Sequence, residues 1–204
     1  MTAVNVVPLE DRRALLLAHA LEVFTEKGYH STSMDDVANR AKVSKPVVYQ
    51  HFAGKRDLYI GLLAQSVETV SDGIAAAVAQ HTDNADRVRA AIMYYFEAVD
   101  RADHGFRLIF ESDFTQDSDV RAHVDEFITR MARLIGSEIA EATGMPIANA
   151  QLLAAGLSGM AQTAAFRWLR LGRPMPLQQA VGELWHLGWL GLSSFDPVEH
   201  QPSA

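Results

Sequence analysis

Residues 45–52, KPVVYQHF, carry side chains whose order suits the reading of a base-pair edge. Wound as a helix at about 3.6 residues per turn, the stretch puts Val48 and Phe52 on one side, where Val43 can join them. Pro46, Val47 and Gln50 fall on the other side, flanked by Tyr49 and His51. Val47 and the Pro46 ring can touch thymine methyls, the Gln50 amide can bond adenine in a two-pronged way, and Lys45 reaches a guanine edge or a phosphate. Thr32, Tyr49, His51 and Lys55 ring this helix with groups that suit phosphate oxygens, which position a protein without reading sequence. Ser33 and Ser44, at the starts of two short helices, complete the candidate DNA-contacting set, because N–H groups that open a helix receive phosphate.

The elements that position these residues follow from the flanking pattern. Thr32 or Ser33 can cap a helix whose first turn holds Asp35 and Asp36. Met34, Val37, Ala38 and Ala41 then recur at i, i+3, i+4 and i+7, a one-sided apolar face. A three-residue turn, Lys42-Val43-Ser44, follows, and Pro46 sits in the next first turn, where a missing N–H costs nothing. Upstream, Ala14, Leu17, Leu21 and Phe24 mark a helix from about Glu10 to Lys27, which Gly28 is placed to end. A helix, a three-residue turn and a second short helix with local positive charge is a DNA-binding arrangement.

The charge is concentrated to match. The chain carries −7 overall, yet all four lysines lie between residues 27 and 55. From Lys27 to Arg56, six cations face only Asp35 and Asp36, a balance of +4; residues 61–204 hold ten arginines against eighteen acids, a balance of −8. A small basic segment on an acidic remainder confines any polyanion footprint to one end.

Beyond Ala53-Gly54 the pattern stays helical, first from Lys55 to about Gln80 and then over residues 85–102, 105–114, 120–142, 147–171 and 177–195. No segment alternates with period two over a strand's length, so the chain is all-α with about nine helices. The tail Asp196–Ala204, with two prolines and no apolar run, reads as frayed. Cysteine is absent, which excludes a disulfide framework and thiol chemistry. MTAVNVVPLEDRR is no secretory signal, and no apolar run approaches the ~18 residues of a membrane span. The expected location is the cytoplasm, with no membrane partner.

The stretch GYHSTSMDDVANRAKVSKPVVYQHFAGKRDL resembles the DNA-binding segment of the TetR family of bacterial transcription regulators. The likeness is dense over residues 11–62 and includes Gly28, Tyr29, Thr32, the Ala38/Ala41 pair, Val43-Ser44, Tyr49, His51-Phe52 and Lys55. It implies an all-α dimer, with a helix-turn-helix head over residues 1–54 and a ligand-binding and dimerisation body over residues 55–195. It also implies phosphate roles for Thr32, Tyr49, His51 and Lys55 and base contacts from Lys45 to Gln50, on an inverted-repeat operator in double-stranded DNA. Lys42 and Pro46 stand where the family often has glycine; a left-handed backbone at Lys42 costs roughly 1 kcal/mol. More narrowly, MDDVANRAKVSKPVVYQHFAGKRDLY and FRLIFESDF resemble the actinobacterial regulators of fatty acid synthesis, which respond to long-chain acyl-CoA.

In the remainder, Met93, Phe96, Phe106, Phe110, Phe127, Met131, Leu157, Met160 and Phe166 give an aromatic and methionine-containing interior. Such residues are first of all a packed core; read with the family they become candidates for the wall of a lipophilic effector site. Arg101, Arg107 and Arg167 could meet an anionic head, whereas Glu97, Asp100 and Glu111 could serve a multidrug sensor that takes lipophilic cations. The small residues Ala154, Ala155, Gly156, Gly159, Ala161, Ala164 and Ala165, with Trp185 and Trp189 further on and Leu184, Leu187, Leu190 and Leu192 around them, read as a homodimer interface through the last two helices. Catalysis has little support. His104 and His123 near Asp113, Asp117 and Asp119 lack metal-ligand spacing, and no cofactor is expected.

Overall fold

The computed structural model describes residues 9–101, 104–111, 113, 114 and 116–192. Among them are nine α-helices and no strand: α1 (Leu9–Ser31), α2 (Met34–Arg40), α3 (Lys45–His51), α4 (Lys55–Ala79), α5 (Asn84–Asp100), α6 (His104–Phe110), α7 (Ser118–Thr143), α8 (Ile147–Arg170) and α9 (Leu177–Leu192). The tail 196–204 and the arm before Leu9 lie outside the described residues. By packing, the chain forms two units. One draws on Met1–Glu68 and His104–Val124, the other on Thr69–Asp103 and Asp125–Ala204, so α4 and α7 run through both.

In the first unit α1 packs on α2 and α6, and α2 packs on α3. The core holds Leu16, Leu17 and Phe24 of α1, Val37 of α2, Val48 of α3, then Phe52 and Leu58, all nearly inaccessible. Gly28 kinks α1 with φ 77° and ψ 167°, a backbone that glycine alone adopts cheaply. Ser33 caps α2 in a reciprocal capping box: its Oγ accepts the Asp36 N–H at 3.2 Å, and the Asp36 carboxylate accepts the Ser33 N–H at 2.8 Å. Lys27 donates to that carboxylate at 2.5 Å and, with the Ser33 bonds, holds it well below the usual carboxylate range.

Lys42 takes the left-handed backbone, φ 54°. Around it the Lys42 N–H donates to the Asn39 carbonyl and the Val43 N–H to the Ala38 carbonyl at 3.0 Å, a Schellman end to α2 built without glycine. Helix α6 ends at Phe110 rather than near 114. Beyond it the chain is drawn to the end of α1: Asp113 accepts the Tyr29 N–H at 2.8 Å, and the Phe114 ring stacks on Tyr29 with centroids 3.7 Å apart.

In the second unit α5 packs on both α8 and α9. Ala150, Ala154, Ala161 and Ala165 are buried on α8, so small residues expected to face a second copy are partly spent inside the chain. Gly136 of α7 lies so close to Gln151 of α8 that a Cβ would meet its Cα at 2.9 Å. Trp185 of α9 donates its indole N–H to the Ala85 carbonyl of α5 at 2.8 Å, which turns that ring inward.

Candidate nucleic-acid interface and ligand cavity

Helix α3 divides as its spacing predicts. Val48 is completely buried, while Lys45, Pro46 and Gln50 are exposed, and Tyr49 keeps 46 % of its surface open. Val47, expected on the outward side, is half-buried, as is His51 on the flank. Ser44 occupies the N-cap position with an extended backbone but no side-chain cap bond, so its hydroxyl is not committed there. Lys45 donates to Asp35 at 2.9 Å, and this bond raises the lysine pKa. The outward surface is therefore a short, mostly uncharged strip with one paired cation at its start.

The expected phosphate ligands are placed less uniformly. Thr32 is buried at 3 %, and its hydroxyl donates to the Gly28 carbonyl at 2.7 Å. Lys55 points its ammonium at the carbonyls of Tyr29 (2.9 Å) and His30 (3.3 Å) and lies 4.5 Å from the Tyr29 ring centroid. An ammonium has three donors, so one remains for an incoming oxygen. Next to it, Arg56 grips Asp117 with two bonds, 2.8 and 3.0 Å, and reaches Asp119 at 2.6 Å. This clamp holds Asp117 below the usual carboxylate range. The turn after Gly28 is thus fixed from two sides, by Lys55 through its carbonyls and by Asp113 through its N–H groups.

The nine residues expected around a ligand sit mostly in the core. Phe96, Phe127, Met131 and Phe166 are buried in the second unit, and Phe106 in the first, where its ring lies 4.8 Å from that of Phe110. Met93, Phe110, Leu157 and Met160 are half-buried. Leu157 and Met160 seat against Gly188 of α9, and Met93 lines an open groove with Tyr94 and Arg89. None of the nine lines the apolar cavity of about 220 Å³ in the second unit. That cavity is walled by Val78 of α4, Val88 and Ala91 of α5, Leu134 and Ile139 of α7, and Trp189 of α9. Its charged residues are Arg87 and Glu138, which form an ion pair across α5 and α7.

The charges expected at a ligand head lie elsewhere. Arg101 pairs with Glu97 (3.4 Å), Arg107 with Glu111 (2.9 Å) and Asp100 with Arg173 (2.6 Å), none of them at this cavity. Arg87 and Glu138 escaped the sequence reading because each looks like a surface residue. The signal available was register: Arg87 is one turn before Ala91, and Glu138 one turn after Leu134, both inward-facing. Among the described residues no three His, Asp or Glu side chains gather to hold a metal, and no helix is long and apolar enough to cross a membrane.

The tetR family of bacterial regulatory proteins is matched by residues 16–62, which span most of α1, then α2, α3 and the start of α4. The HTH-type transcriptional activator FasR of Mycolicibacterium smegmatis is 36 % identical over 189 residues, 93 % of this chain and 86 % of that protein. Among solved structures, a TetR-like transcriptional regulator from Rhodococcus sp. RHA1 superposes with a TM-score of 0.72 at 23 % identity, over 92 % of this chain and 99 % of the other. The transcriptional regulator FadR from Bacillus subtilis, in complex with stearoyl-CoA, superposes with a TM-score of 0.71 at 16 % identity, over 86 % and 96 %.

Proposed function

The chain belongs to the TetR family of DNA-binding transcription regulators, a non-enzymatic family, and on that premise we propose that its operator affinity is controlled by a lipophilic effector of the long-chain acyl-CoA class. The observation that carries the DNA half is the exposed Lys45–Gln50 strip over a buried Val48. The ligand half is supported by the apolar cavity of the second unit and by a fold shared with a regulator that holds stearoyl-CoA. A cytoplasmic regulator with a head over residues 1–54 and a body over 55–195 is the working division.

Pairing of two copies through α8 and α9 rests on surface that one chain leaves open. Leu152 is 75 % exposed, and Gly156, Gly159 and Thr163 continue its stripe. Among the described residues nothing approaches within 4 Å of a Cβ built on either glycine. Leu187 and Leu190 add apolar surface on α9, at 66 % and 64 % exposure. A two-fold dimer reads an inverted repeat with half-site centres about one helical turn apart, roughly 34–36 Å. Effector binding shifts the population toward a body conformation in which α4, continuous from Lys55 to Ala79, sets the two heads at an unproductive separation.

The coupling required is typically 1–3 kcal/mol and must be reciprocal. Acyl-CoAs of graded length titrated against the operator complex test it. Each buried methylene contributes about 0.8 kcal/mol, so potency should rise about fourfold per carbon until the site is full. A flat response, with lipophilic cations releasing the DNA instead, would transfer the case to a multidrug sensor. The carboxylates expected of that alternative, Glu97, Asp100 and Glu111, each pair with an arginine and lie outside the lining of the apolar cavity.

A further inference from the structure

We propose that Lys42 is an acyl acceptor in the DNA-binding head: its free amine takes an acetyl group from a small acyl phosphate, and the neutral amide so formed weakens the hold on the DNA backbone. This draws on DNA binding by the head and is independent of the lipophilic-effector reading above.

The chain has four lysines, all in this head segment, and three of them are tied. Lys27 donates to Asp36 at 2.5 Å and Lys45 to Asp35 at 2.9 Å. Lys55 is half-buried, and its nitrogen faces the carbonyls of Tyr29 and His30 and the Tyr29 ring. Among the described residues the Lys42 ammonium has no hydrogen bond or ion pair, and the residue is exposed. It also stands at φ 54°, a left-handed backbone that lysine enters at a cost and glycine does not. A side chain kept where the backbone disfavours it, with no polar partner to offset that cost, points to a role outside the folded chain.

An amine attacks a carbonyl only in its neutral form, so a partner that prefers the ammonium protects it. Asp35 does this at Lys45, whose pKa it raises, and Lys27 would first have to break its ion pair with Asp36. Lys42 gives up no such partner. The donor that suits this turn is small and anionic. Lys42 lies between Arg40 and Lys45 in the segment whose balance is +4, and the exposed Ser44 hydroxyl, without a cap bond, can donate to a phosphoryl oxygen. In the step, the Lys42 nitrogen bonds to the carbonyl carbon and the bond from that carbon to the phosphate oxygen breaks. Inorganic phosphate leaves with the electron pair, and the amine proton passes to solvent. The lysine thereby loses its charge and its capacity to pair with a DNA phosphate.

Incubating the full chain with acetyl phosphate, and in parallel with acetyl-CoA, then reading each lysine by site-resolved mass spectrometry compares all four in one sample. Lys42 should acetylate about two- to fivefold faster than Lys27 or Lys45, the factor an exposed ion pair is worth. Lys55 should be slower still, and acetyl phosphate should be the faster donor. Limited exposure to acetyl phosphate should lower affinity for a random-sequence DNA duplex in wild-type protein and not in Lys42→Arg, which keeps the charge without an amine to acylate. Lys42→Gln, with the charge removed, should flatten the slope of log affinity against log salt by about one unit per head. Equal labelling of the four lysines, faster labelling by acetyl-CoA, the same loss of affinity in Lys42→Arg, or a Lys42→Gln slope equal to that of wild type would each overturn the proposal.

Discussion

Gly28→Ala is the sharpest perturbation the first unit offers, because two costs of separate origin meet at one position. The backbone there, φ 77° and ψ 167°, lies in a region that an alanine enters at about 1–3 kcal/mol. A Cβ would also stand 2.7 Å from Asp113 Oδ2 and 3.2 Å from its Cγ, so the carboxylate has to leave. It takes with it the 2.8 Å bond from the Tyr29 N–H, worth about 1–2 kcal/mol at a partly solvated site. Gly28→Ala should therefore cost about 2–5 kcal/mol, and Asp113→Ala alone about 1–2 kcal/mol.

In an Asp113→Ala background only the backbone cost remains, so the two changes should be sub-additive by about 1–2 kcal/mol. Urea denaturation followed by circular dichroism at fixed protein concentration, on all four proteins, measures this. A Gly28→Ala penalty that is the same in both backgrounds to within ~0.5 kcal/mol would show that Asp113 does not occupy the space beneath Gly28. Operator affinity, measured where every variant is folded, should fall as well, since Lys55 is positioned by the Tyr29 and His30 carbonyls of this same turn.

Gln50→Ala should cost about 1–3 kcal/mol on the cognate operator and relax preference at one base pair, with non-specific affinity unchanged; an unaltered base profile would remove Gln50 from the readout. Leu187→Glu, at a residue 66 % exposed on α9, should convert the dimer to monomers on sedimentation, and a wild-type monomer at micromolar concentration would end the pairing argument. Burial pushes the Tyr95 phenol up to about 12, above the ~10 of an unfolded chain. The fold thus favours the neutral phenol, and its contribution is complete below pH ~10 and is lost as pH rises toward about 12. Tyr95→Phe should flatten that alkaline loss, and an unchanged profile would assign it elsewhere.

The head was legible in the sequence because its determinants are local. A capping serine, a proline in a first turn and an apolar i, i+3, i+4 stripe each act within a few residues, and α2 and α3 lie where those signals place them. Lys42 is a different case: its left-handed position is implied by the family resemblance, where glycine is frequent, and the backbone adopts it without glycine. The effector region was not legible, because a phenylalanine in a core and one on a cavity wall have the same sequence signature. Phe96, Phe127 and Met131 went to packing. What lines the open space is set instead by where the N-terminal turn of α5 meets the last turns of α7, a long-range register that no single-sequence periodicity encodes. Of the α9 residues expected at a second copy, Trp185 bonds Ala85 and Trp189 lines the cavity, while Leu187 and Leu190 hold the exposed surface.

The positive balance of residues 27–56 overstates what the free head presents to DNA. Lys27 is bonded to Asp36, Arg40 to Glu22 and Glu26, Lys45 to Asp35, and Arg56 to Asp117 and Asp119. Each phosphate met by one of these cations frees a carboxylate, which gathers a counterion of its own from solution. The net release per contact is then smaller than that of an unpaired lysine, for which the slope of log affinity against log salt is about −0.9. A salt slope shallower than about −0.9 per phosphate contact is the consequence. Asp35→Asn isolates the effect, because Asp35 is exposed at the start of α2 and its bond to Lys45 is the tie being cut. Lys45 then meets DNA unpaired, so non-specific affinity should rise and the slope should steepen by a fraction of one unit, with Gln50-dependent discrimination intact. Should Asp35→Asn leave both affinity and slope where they were, Lys45 would not be exchanging its carboxylate for the DNA backbone, and its role would move to the base edge.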